Sequence, residues 1–388
     1  MKHKRDLYIF VNGHGENEIA LSIIKRLKSY EVSAFPFVGD GKIFKKNGIK
    51  VLFEGRNFPS GGLLLREGPS VLYKDLKMGF FSDFIYMLKT IKMYSKDKFV
   101  SLVVGDFYPL IIVYLFLGRK SLFILSSKSV RIKNLTRIEL FFLKYMADKI
   151  FVRDISTKKF LIKRGIDAFY MGNPIVGGLE SIKGSAIFEK RNRMGILFLP
   201  GSREDMYINI TYMLKIVEKI IDMGRIDSFK PIFHLSSSAK IESLSRYLPD
   251  AWEFQEEGGD LIGKYIHKIK GTEVSIYKGI FSEALNFSQI VIGLSGTANE
   301  QSVAFGRPVI AFSIPGTHAT HKRFTKRQAP LLGENLIYFS TFDPYSIAKK
   351  VLELVSDRKY LKFLSVKGKE TVGKDAINSI VNFLDNSL

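Results

Sequence analysis

The feature that most constrains this chain is a repeated pattern in which a short apolar run ends at a glycine-containing turn and residues at helical spacing follow. In the first half, the run at residues 7–11 is followed by the turn 12–15. In the second half, the run at 195–199 is followed by the turn 201–203 and a helical pattern at 208–220. Strands that alternate with helices along a chain pair in parallel in one sheet. The sequence therefore predicts an α/β protein with two doubly wound halves.

Other short apolar runs continue this alternation. We predict further strands at 32–38, 99–104, 122–125, 150–152, 232–235, 274–277, 290–294 and 309–312. The longest apolar run, 109–117, is too short to span a bilayer and is predicted to form a buried helix. A last helix is predicted at 375–384.

The length of 388 residues exceeds what one hydrophobic core usually supports, which favours two domains. We predict an N-terminal domain at 1–174, a linker at 175–194 and a C-terminal domain at 195–370. The final stretch, 371–388, is predicted to be a helix that can pack back on the N-terminal domain. The linker is assigned because its residues are charged, include glycine and lack periodicity.

The composition of the chain limits the classes of function and partner that it can have. The absence of cysteine excludes disulfides, thiolate metal sites and a cysteine nucleophile, and it fits a reducing cytoplasm. The start of the chain does not have the pattern of a signal peptide, so we expect a cytoplasmic protein. With 59 Lys and Arg against 38 Asp and Glu, the net charge is +21, which attracts nucleic acid, anionic lipid or phosphorylated small molecules. A generally lysine-rich surface is the alternative, and without a nucleic-acid-binding motif we expect no nucleic acid partner.

The strongest functional signal is a strand that ends at Ser295, Gly296 and Thr297, where a helix containing Glu300 and Gln301 begins. The N–H groups at a helix N-terminus favour phosphate, and small residues let a pyrophosphate approach the backbone. The alternative is an ordinary strand–helix turn of the fold.

A second turn, Gly201-Ser202-Arg203, follows the first strand of the same half. Arginine can bind a phosphate through two parallel hydrogen bonds. A type II turn with a surface arginine is the alternative. Both turns follow the carboxyl ends of strands, which is the edge where open α/β sheets bind ligands. This shared position favours the functional interpretation.

Candidate acid–base residues follow two strands of the first half. The turn after the first strand contains Gly13, His14, Gly15 and Glu16, which places an imidazole and a carboxylate beside glycine backbone that we expect to contact the ligand. The alternative has Glu16 as a favourable anion in the first helical turn and His14 as a loop residue. Asp106 ends the strand at 99–104 and is a candidate catalytic carboxylate or a helix cap.

A polar, basic loop at 315–323 reaches on to Arg327 and Gln328. Its His318 and His321 are three residues apart, but no third ligand accompanies them, so we expect no metal site. We predict instead that this loop, including Gln328, contacts an anionic ligand.

These motifs occur together and in this order in one family. The chain resembles lipid-A-disaccharide synthase and, more closely, the lipid-A-disaccharide synthase-related proteins. It is also similar, more distantly, to the N-acetylglucosaminyltransferase that makes lipid II. The matching stretches cover nearly the whole chain and are residues 12–16, 35–39, 59–62, 104–106, 172–174, 199–203 and 295–298.

The resemblance implies a GT-B fold, with two Rossmann-like domains facing each other across a cleft. It implies an acceptor on the N-terminal half and a UDP-sugar on the C-terminal half. Asp106 would then be the general base, with His14 and Glu16 across the cleft. Ser202 and Arg203 would hold the pyrophosphate together with residues 295–297. Such transferases stabilise the leaving diphosphate without a metal ion, so no cofactor is expected beyond the UDP-sugar itself.

Two departures from the family bear on the substrates. The lipid A enzymes usually begin with a Gly-Glu-x-Ser-Gly-Asp type loop, where this chain has Asn-Gly-His-Gly-Glu-Asn. Related transferases place a glutamate on the ribose where this chain has Gln301, with Glu300 beside it. The resemblance implies transfer of an N-acetylglucosamine-type sugar to a lipid-linked or glycolipid acceptor. The alternatives are a UDP-N-acetylglucosamine 2-epimerase of the same fold and a non-catalytic binder of polyanions or membranes.

Residues 73–98 mix aromatic and apolar side chains with lysines. Such a helix suits the surface of an anionic membrane, and a lipid-linked acceptor would make peripheral docking on the inner face of the cell membrane useful. The alternative is a helix packed on the N-terminal domain with its lysines in water. A homodimer is left open by the sequence.

Overall fold

A computed structural model describes residues 4–56, 73, 76–177, 179 and 193–387, apart from the side chains of His14 and Ser387. The chain divides into two compact units, of which the first comprises Met1–Gly178 with Asp375–Leu388 and the second Leu179–Lys374. The loop predicted around residues 59–69 and most of the predicted linker lie outside the described residues.

The first unit contains a six-stranded parallel sheet in the order β3-β2-β1-β4-β5-β6. Its strands are β1 (Arg5–Val11), β2 (Tyr30–Pro36), β3 (Lys50–Val51), β4 (Val100–Gly105), β5 (Ser121–Leu125) and β6 (Ala147–Val152). This is the Rossmann strand order, in which the chain changes direction across the sheet between β1 and β4. The loops that follow these two strands therefore meet at one edge.

Helices cover both faces of this sheet because alternate strand residues face opposite sides. Phe10 and Val103 face one apolar core, whereas Ile9 and Val104 face the other. The helices, in chain order, are α1 (His14–Ile24), α2 (Lys42–Lys45), α3 (Phe80–Met93), α4 (Phe107–Leu117), α5 (Arg137–Met146) and α6 (Ile155–Ile162). In α4, which covers the longest apolar run of the sequence, Leu110 is fully buried.

The C-terminal helix, Ile377–Ser387, packs in the first unit. Ile377 and Leu384 are fully buried in the same core as β1 and α1. The hydroxyl of Tyr30 donates to the carbonyl of Leu384 over 2.9 Å, and Ser29 N donates to the carboxylate of Asp385 over 3.1 Å. The end of the chain is therefore held on the first sheet by apolar packing and by hydrogen bonds.

The second unit contains an eight-stranded sheet in the order β14-β13-β12-β7-β8-β11-β10-β9. The strands are β7 (Met194–Leu199), β8 (Phe229–His234), β9 (Trp252–Glu256), β10 (Leu261–His267), β11 (Glu273–Tyr277), β12 (Ser288–Gly293), β13 (Val309–Phe312) and β14 (Leu336–Phe339). From β14 to β11 all neighbours are parallel, whereas β10 and β9 add an antiparallel extension. The parallel part repeats the order of the first sheet, so its change of direction lies between β7 and β12.

The helices of the second unit pack on this sheet or on one another. They are α7 (Met206–Asp222), α8 (Phe281–Phe287), α9 (Thr297–Ala304), α10 (His321–Arg323), α11 (Ala329–Leu332), α12 (Pro344–Ser356) and α13 (Arg358–Val372). A π-helical turn, Phe324–Gln328, separates α10 from α11. Among the helices of the described residues, none is long and apolar enough to cross a membrane.

Candidate functional site

The first candidate site lies where β1 and β4 end side by side. Val11 pairs with Val104, so the next residues of both strands are adjacent at the sheet edge. The side-chain amide Nδ2 of Asn12 donates to Oδ1 of Asp106 over 3.1 Å. The structure thus brings together the loop after β1 and the carboxylate after β4, which the sequence had singled out separately.

Asp106 is the N-cap of α4. Its backbone is extended, and Oδ1 accepts a second hydrogen bond from the backbone N–H of Tyr108 over 3.0 Å. An N-cap carboxylate satisfies an N–H group that has no partner within the helix. The capping alternative raised by the sequence is therefore observed. It is compatible with a role in catalysis, because the cap fixes the orientation of the carboxylate.

Glu16 lies beside Asp106 in the first turn of α1. Burial raises the pKa of Glu16, and the nearby charge of Asp106 raises it further. A Cβ atom on Gly105, which has φ +136°, would lie 3.2 Å from Cγ of Glu16, and one on Gly13 would lie 2.8 Å from Oε2. Both glycines therefore make room for the Glu16 side chain. Two carboxyl groups whose environments differ in this way can act as an acid and a base at the same pH.

The other predicted residues of this loop lie in α1. His14 and Gly15 form its first turn, and the side chain of His14 lies outside the described residues. The predicted role of His14 therefore stays a prediction. Gly13 is the N-cap residue, and its carbonyl accepts from Asn17 N over 2.8 Å.

An aromatic pocket opens beside Asp106 in the first unit. The ring of Tyr108 meets that of Phe37 edge-on at 5.7 Å between centroids, and Phe53 stacks on Phe35 at 5.3 Å. Burial and the charge of Asp106 raise the pKa of Tyr108 to about 12, so its hydroxyl stays protonated. The lining residues are Phe37, Val38, Phe53, Gly55, Arg56, Phe80, Asp83, Phe84, Met87 and Tyr108. No local pattern in the sequence indicates this pocket, because its residues come from separate segments.

The wall of the pocket also carries one ion pair. Arg56 Nε lies 3.4 Å from Oδ1 of Asp83, and the backbone N of Arg56 donates to Oδ2 over 2.9 Å. The Arg56 side chain is 60% exposed, so this pair contributes little to stability. It ties the chain after β3 to the start of α3.

The second candidate site lies where β7 and β12 end side by side. Gly293 pairs with Leu199, and Leu294 N donates to the carbonyl of Leu199 over 2.9 Å. The predicted turn at 201–203 therefore lies next to the predicted turn at 295–297. Gly201 has φ +109°, in a region that favours glycine.

Helix α9 begins in the second of these turns. Gly296 is its N-cap, and within the described residues no side-chain hydrogen bond caps the helix. The first N–H groups of an α-helix lack partners within the helix and point outward, where a phosphate can accept from them. Glu300 is buried, and Gln301 is half-buried on the same helix.

Gln328 holds the turn at Ser295 in place. Its Nε2 donates to the carbonyl of Ser295 over 2.6 Å, and its Oε1 accepts from Nδ2 of Asn299 over 2.9 Å. Asn299 Nδ2 also donates to the carbonyl of Gly293 over 3.0 Å. Gln328 is only 4% exposed, so the structure places it behind the turn as a positioning residue.

Asp205 links the turn after β7 to the loop after β13. Its Oδ2 accepts from the backbone N of His318 over 2.6 Å and lies 3.0 Å from Nδ1 of the same residue. Asp205 is the N-cap residue of α7, where an aspartate commonly bonds its own helix. Here the carboxylate joins two loops, a role that no local pattern in the sequence indicates because the partners lie 113 residues apart.

Arg323 lies beside the loop after β13 and the turn after β12. Its Nη1 donates to the carbonyl of His318 over 3.3 Å, and Nη2 would lie 3.3 Å from a Cβ atom on Gly296. Burial lowers the pKa of Arg323, the positive charges of Arg203 and Arg327 lower it further, and Asp205 opposes them. The basic loop was predicted to contact an anion, but Arg323 was not singled out within it.

The two histidines of this loop have different partners. His318 contacts Asp205, whereas Nδ1 of His321 lies 2.9 Å from the hydroxyl of Tyr338. In the part of the chain that the structure describes, no group of three His, Asp or Glu side chains could hold a metal ion.

Comparisons with known proteins identify the fold. No family model matches the sequence, and no curated protein matches it. Among solved structures, the chain is similar to the UDP-GlcNAc 2-epimerase from Neisseria meningitidis bound to UDP-GlcNAc, with 13% identity, a TM-score of 0.57 and coverage of 98% of this chain and 99% of that one. The 2-epimerase from Methanocaldococcus jannaschii gives 15% identity and a TM-score of 0.56 over 98% and 99% of the two chains.

A glycosyltransferase is equally similar. CalG4, the calicheamicin glycosyltransferase, gives 11% identity and a TM-score of 0.58 over 99% of this chain and 98% of that one. The prediction of an α/β protein of the GT-B fold, with two Rossmann-like domains, is therefore confirmed. The closer resemblance to lipid-A-disaccharide synthase stays a prediction.

Proposed function

We propose that this chain is a UDP-sugar-dependent glycosyltransferase, which transfers an N-acetylglucosamine-type sugar to a lipid-linked or glycolipid acceptor. The observation that carries the proposal is that both sheets place the predicted polar residues where the strand order reverses. In the first unit these are Asn12, Glu16 and Asp106, and in the second the turns 201–203 and 295–297. Open α/β sheets bind their ligands at this position.

In the proposed reaction, the UDP-sugar binds at the second unit. The bond between the sugar C1 and the diphosphate oxygen breaks, and negative charge develops on the departing UDP. Arg203 and the N–H groups at the start of α9 stabilise that charge without a metal ion. Gln328 keeps the turn at Ser295 in the required position.

Asp106 acts on the acceptor in this proposal. An acceptor hydroxyl transfers its proton to the carboxylate as its oxygen forms the new bond to C1. The amide of Asn12 and the N–H of Tyr108 orient the carboxylate for this transfer. Glu16, whose pKa is raised, holds a proton at higher pH than an ordinary glutamate and then adds no second charge beside Asp106.

The aromatic pocket supports an acceptor with an apolar part. Tyr108 contributes its ring to the pocket and its backbone N–H to Asp106, so an apolar group in the pocket lies beside the proposed base.

Exposed apolar side chains on the helices of the first unit support peripheral membrane docking. Phe81 is 66% exposed, and on helices α4 and α5 Leu115 and Ile138 are 62% and 66% exposed.

A 2-epimerase is the second candidate function, favoured by the similarity to UDP-GlcNAc 2-epimerases along nearly the whole chain. Such an enzyme needs no acceptor. Incubation with UDP-GlcNAc alone, followed by proton NMR, separates the candidates. Appearance of the C2 epimer supports the epimerase, whereas an unchanged nucleotide-sugar rejects it.

The transferase is tested by release of UDP from UDP-GlcNAc in the presence of octyl β-glucoside or methyl β-glucoside. We expect release with the octyl compound and much less with the methyl compound. Release that depends on neither acceptor, or that persists in an Asp106→Asn variant, contradicts the proposed mechanism.

A further inference from the structure

We propose that Arg323 is a diphosphate-binding residue, which donates hydrogen bonds to a nucleoside diphosphate beside Gly296 and is held in position by Asp205 and His318. The inference deepens the proposed function and rests on it, because it assumes that a nucleotide-sugar binds where the strand order of the second sheet reverses. It adds a residue that neither the motifs nor the resemblance identified.

The guanidinium of Arg323 lies at the start of α9. Nη2 of Arg323 lies so close to Gly296 that a Cβ atom there would be 3.3 Å away. Because Gly296 is the N-cap of α9, the guanidinium lies next to the backbone at the start of that helix. Guanidinium N–H groups and the N–H groups at a helix N-terminus both bind phosphate oxygens well. At Gly296 they are adjacent.

Positive charge is concentrated around Arg323. Burial, Arg203 and Arg327 all disfavour the charged form of Arg323, and they lower its pKa. Arginine nevertheless remains charged in proteins, so the repulsion among the three guanidinium groups persists. Asp205 offsets only part of it. A bound diphosphate places negative charge among the three groups and relieves this repulsion.

The protein holds the Arg323 side chain in place before a ligand binds. Asp205 binds the backbone and ring of His318, and the carbonyl of His318 accepts from Nη1 of Arg323. Thr320 Oγ1 also accepts from Arg323 N over 3.3 Å. A side chain that is already ordered loses less entropy when the ligand binds. Asp205 and His318 are positioning residues in this arrangement.

The experiment is calorimetric binding of inorganic pyrophosphate, UDP and uridine to the full chain at fixed ionic strength. We expect Arg323→Ala to weaken binding of UDP and pyrophosphate roughly ten- to hundredfold, because a hydrogen bond to a charged group is lost. Uridine has no phosphate, so its binding should change by less than about twofold. Arg323→Lys should give an intermediate loss, because lysine keeps the charge but not the fork of donors.

Arg307 provides the matched control. Like Arg323 it is a half-buried arginine, but its Nε and Nη2 donate to the carbonyls of Leu285 and Asn286 over 3.0 and 3.5 Å. It precedes β13 and so stands at the amino end of that strand, opposite the candidate site. Arg307→Lys should leave the ratio of UDP to uridine affinity unchanged. Circular dichroism checks that each variant folds. If Arg323→Ala does not fold, binding of UDP and pyrophosphate by Arg323→Lys tests the assignment in its place.

The positioning role of Asp205 is tested by a double-mutant cycle. Asp205→Ala should weaken UDP binding by a smaller factor than Arg323→Ala. The double variant should be no weaker than Arg323→Ala alone, since both changes remove one interaction. If the double variant instead lost UDP affinity by the product of the two single factors, Asp205 would act on the fold and not through Arg323.

The outcomes separate this inference from the proposed function. If Arg323→Ala binds UDP and pyrophosphate as tightly as the wild type, or loses uridine by the same factor, the assignment of Arg323 is wrong even if the protein is a transferase. If pyrophosphate binding depends on Arg323 but UDP binds no better than ADP or GDP, the assignment stands and the uridine specificity of the proposed function is wrong.

Discussion

Asn12 and Asp106 are joined by a hydrogen bond of 3.1 Å between Nδ2 and Oδ1, although 94 residues separate them in the sequence. The contact is a direct consequence of strand order, because β1 and β4 are neighbours whose carboxyl ends meet. Asp106 also caps α4 through Tyr108 N. One carboxylate thus completes a helix and lies at the edge where the ligand is expected.

The Asp106→Asn variant tests whether this carboxylate is the base. Asparagine keeps the shape and one acceptor for the helix cap, but it cannot take a proton from the acceptor. We expect sugar transfer to fall by at least roughly a hundredfold, the usual contribution of a general base. Affinity for UDP should stay the same. Turnover close to that of the wild type would leave Asp106 with a capping role alone.

Glu16 should make stability depend on pH. Its folded pKa is raised by burial and by Asp106, so the folded state holds this proton more tightly than the unfolded state does. The stabilising effect of the protonated form is complete at pH below about 4.5 and is lost as pH rises through the raised pKa. Glu16→Gln, which is always neutral, should therefore melt higher than the wild type at pH 8.

The difference between Glu16→Gln and the wild type should shrink as the pH falls toward 4.5, and thermal melts across this range measure it. Glu31→Gln is the control, since Glu31 is an exposed residue of β2 in the same unit. If the difference in melting temperature between Glu16→Gln and the wild type stayed constant with pH, Glu16 would ionise as an ordinary exposed glutamate.

His234 should make the protein sensitive to acid. It ends β8, where its Nε2 lies 3.1 Å from the carbonyl of Gly279, and burial lowers its pKa to about 4. An unfolded histidine titrates near 6.5, so the neutral folded form contributes its full stability above that pH and loses it between about 6.5 and 4. The loss amounts to about 3 kcal/mol at most.

Urea unfolding at pH 7 and pH 4.5 compares the wild type with His234→Gln. Glutamine retains an N–H donor and does not titrate, so its free energy of unfolding should change less between the two pH values. Equal changes in both proteins would show that other groups cause the acid sensitivity.

A side chain at Gly105 should destabilise the protein. Its φ of +136° strains other residues, and a Cβ atom would lie 3.2 Å from Glu16 Cγ. Gly118 is a matched control, because its φ is +68° but nothing in the described residues lies within 4 Å of a Cβ atom there. We expect Gly118→Ala to lose about 1 kcal/mol of stability through backbone strain, and Gly105→Ala to lose about 1–3 kcal/mol. Equal losses in denaturant unfolding would show that Glu16 moves aside freely.

The sequence predicted the central strands well because they are buried on both faces and read as continuous apolar runs. The ends of these runs located the turns at 201–203 and 295–297, and the structure places them side by side. The sequence missed β3, which has only two residues, and the edge strand β9, whose glutamates are exposed. It also missed β10 and β14.

Contacts between distant segments could not be predicted from local patterns. The hydrogen bonds from His318 to Asp205 and from Gln328 to Ser295 join loops that only the folded sheet brings together. The aromatic pocket is a similar case, since Phe37, Phe84 and Tyr108 come from three segments. Local patterns report which residues are polar at a strand end, whereas strand order decides which of them meet.

Helix α3 has one face packed on the first unit and also carries exposed apolar side chains. One face of α3 packs on the first unit through Met87 and Ile91, while Phe81 and Ile85 on the same helix are 66% and 49% exposed. The packing alternative therefore holds for one face of this helix, and membrane docking through the other face stays a prediction. Exposed apolar side chains gain free energy by entering a lipid surface, and nearby lysines attract anionic head groups.

The double variant Phe81→Ser/Ile85→Ser should bind phosphatidylglycerol vesicles at least roughly tenfold more weakly than the wild type in cosedimentation, since each exposed apolar side chain adds about 1 kcal/mol or more on burial. Tyr345→Ser is the matched control, because Tyr345 is 57% exposed on α12 of the second unit. Binding of the wild type should also weaken as salt rises, because salt screens the attraction between lysines and head groups. If the double variant sediments with vesicles as the wild type does, charge alone brings the protein to the membrane and the exposed face of α3 is not the docking surface.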